Sequence, residues 1–457
     1  MAHSSRHRSR KHSGPRLESL PATSPAPLYR RVPWFAVVVT LFIILTAAFA
    51  QSPVRDAATL GPIAEAHLEL SVGYLAIAPL SAVLDTLTLL GARQHIVVLI
   101  SLLIIYAAIR VWRVRRHARA ETEDWRAQIS VKREAGFAAL FLFAVVVVYA
   151  AAAVLPRPMA SLAAEASDVI VTVDFHSHTR FSHDGRPGWD PSDVRAWHRA
   201  AGFDAAYISD HRTVQGAELG IADNPVEGGQ GTMLLQALEV GWRGEHVNIL
   251  GANRFYKGLT TSDLRDVDEQ ALALASLIPN REPIIVETFP GKLDKLVAAT
   301  GPGTGGIRAI EVVDGSPRGL DQTRILRSRI VHFADSLKVA MVAGSDNHGW
   351  GRAAPGWTLL IVPGWRGMRT DSLSSFIETS LRKGRDATRV VERTVAGEIN
   401  GNSILELALT LPIVTWTMLT TLSVDERIMW VIWVWLIVVA LRLTKTWIRR
   451  HRLRPLT

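Results

Sequence analysis

Long apolar runs occupy both ends of the chain, and short ones fill its middle. Val32–Ala50 is 19 residues without a charge and Ala135–Pro156 is 22, each long enough to cross a bilayer as a helix. Gln94–Ile109 and Ile428–Leu441 are as apolar but shorter. Leu70–Leu84 contains Pro79 and is bounded by Glu69 and Asp85, and Leu407–Val424 contains Pro412. From Asp168 onward the pattern changes to short β-rich runs, at Val169–Phe175, Ala205–Ser209, Val247–Leu250, Pro283–Val286, Ala309–Val313 and Val339–Val342. Between them Pro191–Ala201 and Thr261–Leu277 have helical spacing, the first opened by Asp190-Pro191-Ser192. Strand alternating with helix predicts the α/β class, as a parallel barrel or sheet flanked by transmembrane helices. The expected organisation is a basic disordered tail over 1–31, a membrane region over 32–156, a central α/β domain over 168–396, a second membrane region over 403–446 and a basic tail over 447–457.

Charge sharpens this division. The formal net charge is +9, yet Met1–Arg31, Arg110–Arg133 and Arg442–Thr457 hold 7, 8 and 6 of the lysines and arginines. The remainder of the chain is net −8. Basic residues therefore cluster beside the apolar runs, where they anchor cytoplasmic loops, and the acidic centre excludes nucleic acid as a partner. Four spans (Val32–Ala50, Gln94–Ile109, Ala135–Pro156, Ile428–Leu441) keep all three basic segments inside and place the central domain outside the cytoplasm. Six spans would export the basic loop. The reading adopted is four spans, in a multi-pass protein of the bacterial inner-membrane type. The spans lack the buried charges of an ion path, Asp85 apart, which argues against transport.

There are no cysteines and 15 histidines, so metal chemistry here must use imidazoles and carboxylates. Four apolar runs end in such groups: Phe175 leads to His176, His178 and Asp184, Ser209 to Asp210 and His211, Leu238 to Glu239, and Ser345 to Asp346 and His348. Strand C-terminal ends are where catalytic groups converge in α/β barrels. Residues two apart on a strand face one side, so His176 with His178, and Asp346 with His348, can each address one ion. A carboxylate such as Glu239 can bridge two cations, and a pair about 3.5–4 Å apart lowers the pKa of bound water and clamps the oxygens of a phosphoryl displacement.

The segments DFHSHTRFSHDG (Asp174–Gly185), ISDHRT (Ile208–Thr213), LEVGWRGEHVNILG (Leu238–Gly251), IEVVDG (Ile310–Gly315) and AGSDNHG (Ala343–Gly349) occur in the order found in the polymerase and histidinol phosphatase (PHP) family. Over about Asp168 to Trp350 the chain resembles that family. The resemblance implies a distorted (β/α)7 barrel that hydrolyses phosphoesters with two or three divalent ions, zinc, manganese or iron. It implies one metal on His176, His178, Glu239 and Asp346 and another on Asp184, His211 and His348. For the remaining family site the candidates are His246 and, by ungapped match, Asn248. The family's later His-Pro stands here as Phe289-Pro290, so that ligand is missing and Glu287 is the candidate substitute. Two ions are expected more readily than three.

Asp210 or His211 can relay a proton, or Asp210 can orient a neighbouring ligand. Arg212, Arg180 and Arg318 can bind phosphate, although solvated charge explains each as well. His183, His198 and His332 read as solvated or structural. Trp189 and Trp350 line the pocket mouth or pack. Gly301–Gly306 lacks the Gly-Lys-Ser/Thr ending of a phosphate loop and reads as a turn. The leading expectation is a membrane-bound metal-dependent phosphoesterase acting on a phosphorylated small-molecule or envelope substrate, with the lipid bilayer as its other partner. The alternatives are an amidohydrolase-like enzyme and a PHP-like sensor or scaffold without turnover.

Overall fold

The computed structural model describes residues 32–118, 131–242, 245–251, 284–288, 291, 293, 307–395 and 403–452. The expected tail over 1–31, the helix Thr261–Leu277, the turn Gly301–Gly306 and Phe289-Pro290 lie outside the described residues. Two compact units are present, Phe42–Trp433 and, separately, Met1–Leu41 with Val434–Thr457. In the smaller unit, Trp435 Nε1 donates to Thr40 Oγ1 at 3.2 Å.

Among the described residues the larger unit has twelve strands: β1 Val54–Asp56, β2 Ala66–Leu70, β3 Ala160–Ala164, β4 Ile170–Ser177, β5 Ala205–Ile208, β6 Met233–Trp242, β7 Glu245–Leu250, β8 Ile284–Glu287, β9 Ile307–Asp314, β10 Ala340–Gly344, β11 Gly356–Ile361 and β12 Thr388–Arg393. Ten of them form one sheet in the order β1-β12-β11-β4-β5-β6-β7-β8-β9-β10, and β2 pairs with β3 alone. The sheet curls until its β10 end returns to β4, where Asp346 N donates to His176 O (2.9 Å) and His178 N to Asn347 O (3.1 Å). This is a mixed α/β architecture built on a curled sheet. It is not wholly parallel, as the alternation of strand and helix had suggested. β7 runs against both β6 and β8, because two residues between β6 and β7 leave room for a hairpin and none for a crossover helix.

Alternation along the strands builds the core. Val171, Val173 and Phe175 of β4 enter one apolar cluster with Tyr207 and Trp365, and Phe175 stacks on Tyr207 at 5.3 Å. Ala206, Ile208 and Leu234 enter another with Trp197 and Trp357. Helix Pro191–Ala201 forms as its sequence indicates, with Pro191 in the first turn, Asp190 N donating to Asp193 Oδ2 (3.1 Å) and Gly202 closing it at φ 87°.

The apolar runs form helices α1 (Trp34–Thr46), α2 (Val72–Ala76), α3 (Ala78–Thr88), α4 (Ala92–Ala118), α5 (Val131–Val154), and later Thr410–Thr420 and Val424–Arg452. Three are long and apolar enough to cross a membrane, within Ala92–Arg116, Lys132–Val154 and Val424–Ile448. The runs at Gln94–Ile109 and Ile428–Leu441 are thus cores of longer helices, whose basic ends can snorkel. Residues 34–49 form a shorter apolar helix. The Leu70–Leu84 run is split into α2 and α3, whose Asp85 accepts from Arg157 Nη2 at 2.8 Å with both side chains buried. Either side of the α4–α5 pair, β2 and β3 hydrogen-bond to each other. β1, which follows α1, is an edge strand of the large sheet beside β12.

Candidate metal centre

His176 is the penultimate residue of β4 and His178 follows the strand, carried in by its period-two alternation. Glu239 lies within β6, and the bridge between His211 and Glu239 prolongs the β5–β6 pairing. Asp346 and His348 follow β10. Asp346 sits at φ 44°, in the left-handed region, held there by its N–H on His176 O. A strained residue persisting among strand ends is a mark of a functional site.

Donor atoms from β4, from within β6 and from the segment after β10 converge. His176 Nε2 lies 3.0 Å from both His178 Nε2 and Glu239 Oε2 and 3.2 Å from Asp346 Oδ1. His178 Nε2 lies 3.1 Å from Glu239 Oε2 and 3.1 Å from Asp346 Oδ1. Ligands about 2.1 Å from a common cation are roughly 3.0–3.4 Å apart in octahedral or tetrahedral geometry. The donor set fits a divalent ion.

A second group adjoins it. Asp184 Oδ2 lies 3.2 Å from His348 Nε2 and 3.4 Å from His211 Nε2. His211 Nε2 is also 3.4 Å from Glu239 Oε2, so one carboxylate oxygen serves both groups. The buried Nε2 of His348 has no hydrogen-bond partner among the described residues, although it faces a carboxylate. A cation-seeking lone pair accounts for that. His246 joins through Nδ1, 2.8 Å from Glu239 Oε1, and its side chain is half exposed. Among the described residues, His211, Glu239 and His246 can address a common ion, as can His176, Glu311 and Asp314.

Electrostatics follow from this packing. Burial opposes protonation of His178, but hydrogen bonds to Asp346 and Glu239 overcome it and push its imidazole up to about 10. His176 is raised in the same way, against burial, by Glu239, Glu311 and Asp346. Glu239 is held well below the usual carboxylate range despite burial, chiefly by His176. Asp184 is lowered, again against burial, by the imidazoles of His211 and His348 beside it and by the Ser182 hydroxyl.

The other expected residues fall as follows. Asp210 is buried and spends both oxygens on Thr179, at 2.6 Å from its N–H and 2.6 Å from its hydroxyl, so it fixes the loop after His178. Arg212 is exposed at φ 57°, and its N–H donates to Glu239 O at 3.3 Å. Arg180 pairs with Asp190 at 2.8 Å, and Arg318 is exposed. Asn248 donates to Phe175 O at 3.1 Å and is not grouped with the donors, so of the two candidates near that strand His246 is the one at Glu239. Glu287 is buried, bonds no described residue and belongs to none of the donor groups among the described residues. His183 and His332 are exposed. Trp189 is packed in the core, whereas Trp350 is 52% exposed.

Sequence reasoning left the supporting carboxylates without roles. Glu311 Oε1 lies 3.1 Å from His176 Nδ1, the outer contact that fixes a ligand imidazole's tautomer and orientation. Asp174 accepts from Ser345 Oγ at 2.5 Å and lies 2.7 Å from His198 Nε2, tying β4, β10 and helix Pro191–Ala201 together. Gly344 is obligatory, since a Cβ there would collide with Glu311 Oε1 and His176 Cβ. Glu311 and Asp314 stand in the IEVVDG segment, and that was the available signal.

No protein-family model matches the chain, and no curated protein sequence matches it. Solved structures do resemble it in part. PsfC from Pseudomonas syringae is 15% identical with a TM-score of 0.33, over 54% of this chain and 97% of that one. A two-domain protein from Bacteroides vulgatus, assigned a PHP-like metal-dependent phosphoesterase, is 15% identical with a TM-score of 0.27, over 43% of this chain and 63% of its own. A protein from Bifidobacterium adolescentis assigned as a metal-dependent phosphoesterase is 17% identical with a TM-score of 0.26, over 47% and 96%.

Proposed function

We propose that the protein is a membrane-bound, metal-dependent phosphoesterase. The observation that carries this reading is the sharing of Glu239 Oε2 between two adjoining sets of imidazole and carboxylate donors. Divalent ions held by His176, His178, Glu239 and Asp346, and by Asp184, His211 and His348, supply charge neutralisation at phosphorus and acidify water for attack. Two such ions, if bound, would suit a phosphoryl group, with charge on several oxygens.

The chain's own residues orient and insulate the centre. Glu311 aims His176, Asp210 holds the backbone after His178 through Thr179, and Ser182 donates to Asp184 Oδ1 at 2.6 Å. His246, half exposed with Nδ1 on Glu239, is placed to exchange a proton with solvent. The experiment is an assay of the full-length protein in detergent on p-nitrophenyl phosphate with added manganese or zinc, beside His176→Ala. Turnover abolished by that substitution is expected. A fully metallated protein without His176-dependent turnover refutes the reading.

The membrane arrangement proposed is four crossings with the sheet on the side opposite the three basic segments. Its support is the β2–β3 pairing, which requires an even number of crossings between Leu70 and Ala160. α4 and α5 supply two. α3, with Asp85 buried against Arg157, is then not a crossing.

A further inference from the structure

We infer that the phosphoester is borne on a lipid, whose chain passes from the bilayer into a cavity shared by the metal centre and the ends of the spans. This rests on the phosphoesterase reading and on α4 and α5 crossing a membrane. The cavity has a volume of about 730 Å³. At one end its wall is Asp184, Asp346 and His348. At the other it is Leu87 to Leu90, at the end of α3 and in the turn after it, with Ala92 and His95 of α4 and Tyr149, Ala152 and Ala153 of α5. No other donor group is needed to link them, because one space touches both.

Backbone hydrogen bonds fix the centre against the span ends. Gly351 N donates to Ala153 O, in the last turn of α5, at 2.8 Å. Gly351 is three residues from His348, and three residues reach at most about 11 Å. Arg93 N, at the start of α4, donates to Asp321 Oδ1 at 3.1 Å. The ligand loop is thus pinned at the membrane boundary, at the depth where a lipid's phosphate lies and its chain begins.

The lining selects the same occupant. Leu87, Leu90, Leu320 and the half-exposed Trp350 face the cavity, and an aromatic at a span end is an interfacial anchor. At the span end His95 and Tyr149 bond each other at 3.2 Å, so their polar atoms are spent on one another. Polar groups that fix a phosphate at one end and an apolar wall at the other match an amphiphile.

The test reconstitutes the full-length protein in phosphatidylcholine vesicles with manganese. Dioleoyl phosphatidic acid and dioleoyl phosphatidylglycerol are compared with their dibutyryl forms, and with p-nitrophenyl phosphate. The expected result is a kcat/KM higher by about tenfold or more for one of the long-chain lipids than for its short-chain form. Ala92→Trp, which fills the span end of the cavity from an exposed position, should lower that ratio. Equal rates for long and short chains, with p-nitrophenyl phosphate still cleaved in a His176-dependent way, overturn this inference and leave the phosphoesterase reading standing. A second readout needs no turnover. Phosphatidic acid with a photoreactive acyl chain should label Trp350 and the segment Pro317–Leu320 in His176→Ala protein, competed by dioleoyl phosphatidic acid. Labelling confined to the spans overturns the inference.

Discussion

Glu311 Oε1 stands 3.1 Å from Nδ1 of His176 while the opposite nitrogen of that ring faces Glu239 and Asp346. The ring is therefore read from both sides, and its ligand nitrogen is presented by a residue that need not touch the ion. Glu311→Gln keeps the shape and replaces one of the carboxyl oxygens facing Nδ1 with an amide nitrogen. It should weaken metal binding by about 10–100-fold with little change in unfolding temperature. Titration of the chelated protein with manganese, followed calorimetrically, checks this.

Metal affinity should climb with pH. In chelated protein His178 titrates near 10, so at neutral pH an ion must displace its proton. Each displaced proton makes apparent affinity rise up to about tenfold per pH unit. The linkage to stability has the opposite sign. A folded-state pKa raised from the usual 6.5 to about 10 stabilises the chelated protein fully below 6.5, and that contribution fades as pH rises through 10. Unfolding temperatures at pH 6.5 and 9.5, with and without manganese, should therefore diverge. An affinity flat across that window would contradict the assignment.

Glu287 should be a liability that glutamine relieves. Burial, then Glu245 and Glu311, push its carboxyl up to about 9. A raised carboxyl costs stability progressively from its unfolded value of 4.5 up to 9. Glu287→Gln should consequently stabilise the protein by a few kcal/mol at pH 8 and by little at pH 5. Matching shifts at both pH values would show that the side chain does not titrate in this range.

Asp85 and Arg157 make a buried pair at 2.8 Å, with Tyr74 Oη also on Asp85 at 3.1 Å. Asp85→Ala strands the guanidinium and should cost about 3–5 kcal/mol. Replacing the pair together by Asp85→Leu and Arg157→Met should recover most of it. Thermal unfolding in detergent measures both.

Reporters fused at Ala120 and at Thr457 should report one side of the membrane, and one fused after Ala396 the other. Agreement among all three would refute the four-crossing arrangement.

The donors were legible because their signal is local. His176 and His178 need only a strand's alternation, and Asp346 with His348 repeats it. The supporting acids were not, since Glu311 matters through a ring on a strand that is not its sheet neighbour, and Asp174 through Ser345 and His198. β7 escaped the parallel expectation because nothing in Glu245–Leu250 itself encodes direction. Its reversal comes from the two-residue link to β6. Three-residue β1 carries no pattern at all and acquires its place only by pairing with Arg393 to Val391.

That small edge strand has a practical consequence for anyone wishing to work without detergent. Cutting the chain near Asp168 would strip β1 from β12 and remove β3 along with its partner, baring sheet backbone to any passing chain. Solubility would be sought at the expense of an element that covers a sheet edge, so the N-terminal region is part of the domain's architecture and cannot be exchanged like a tag.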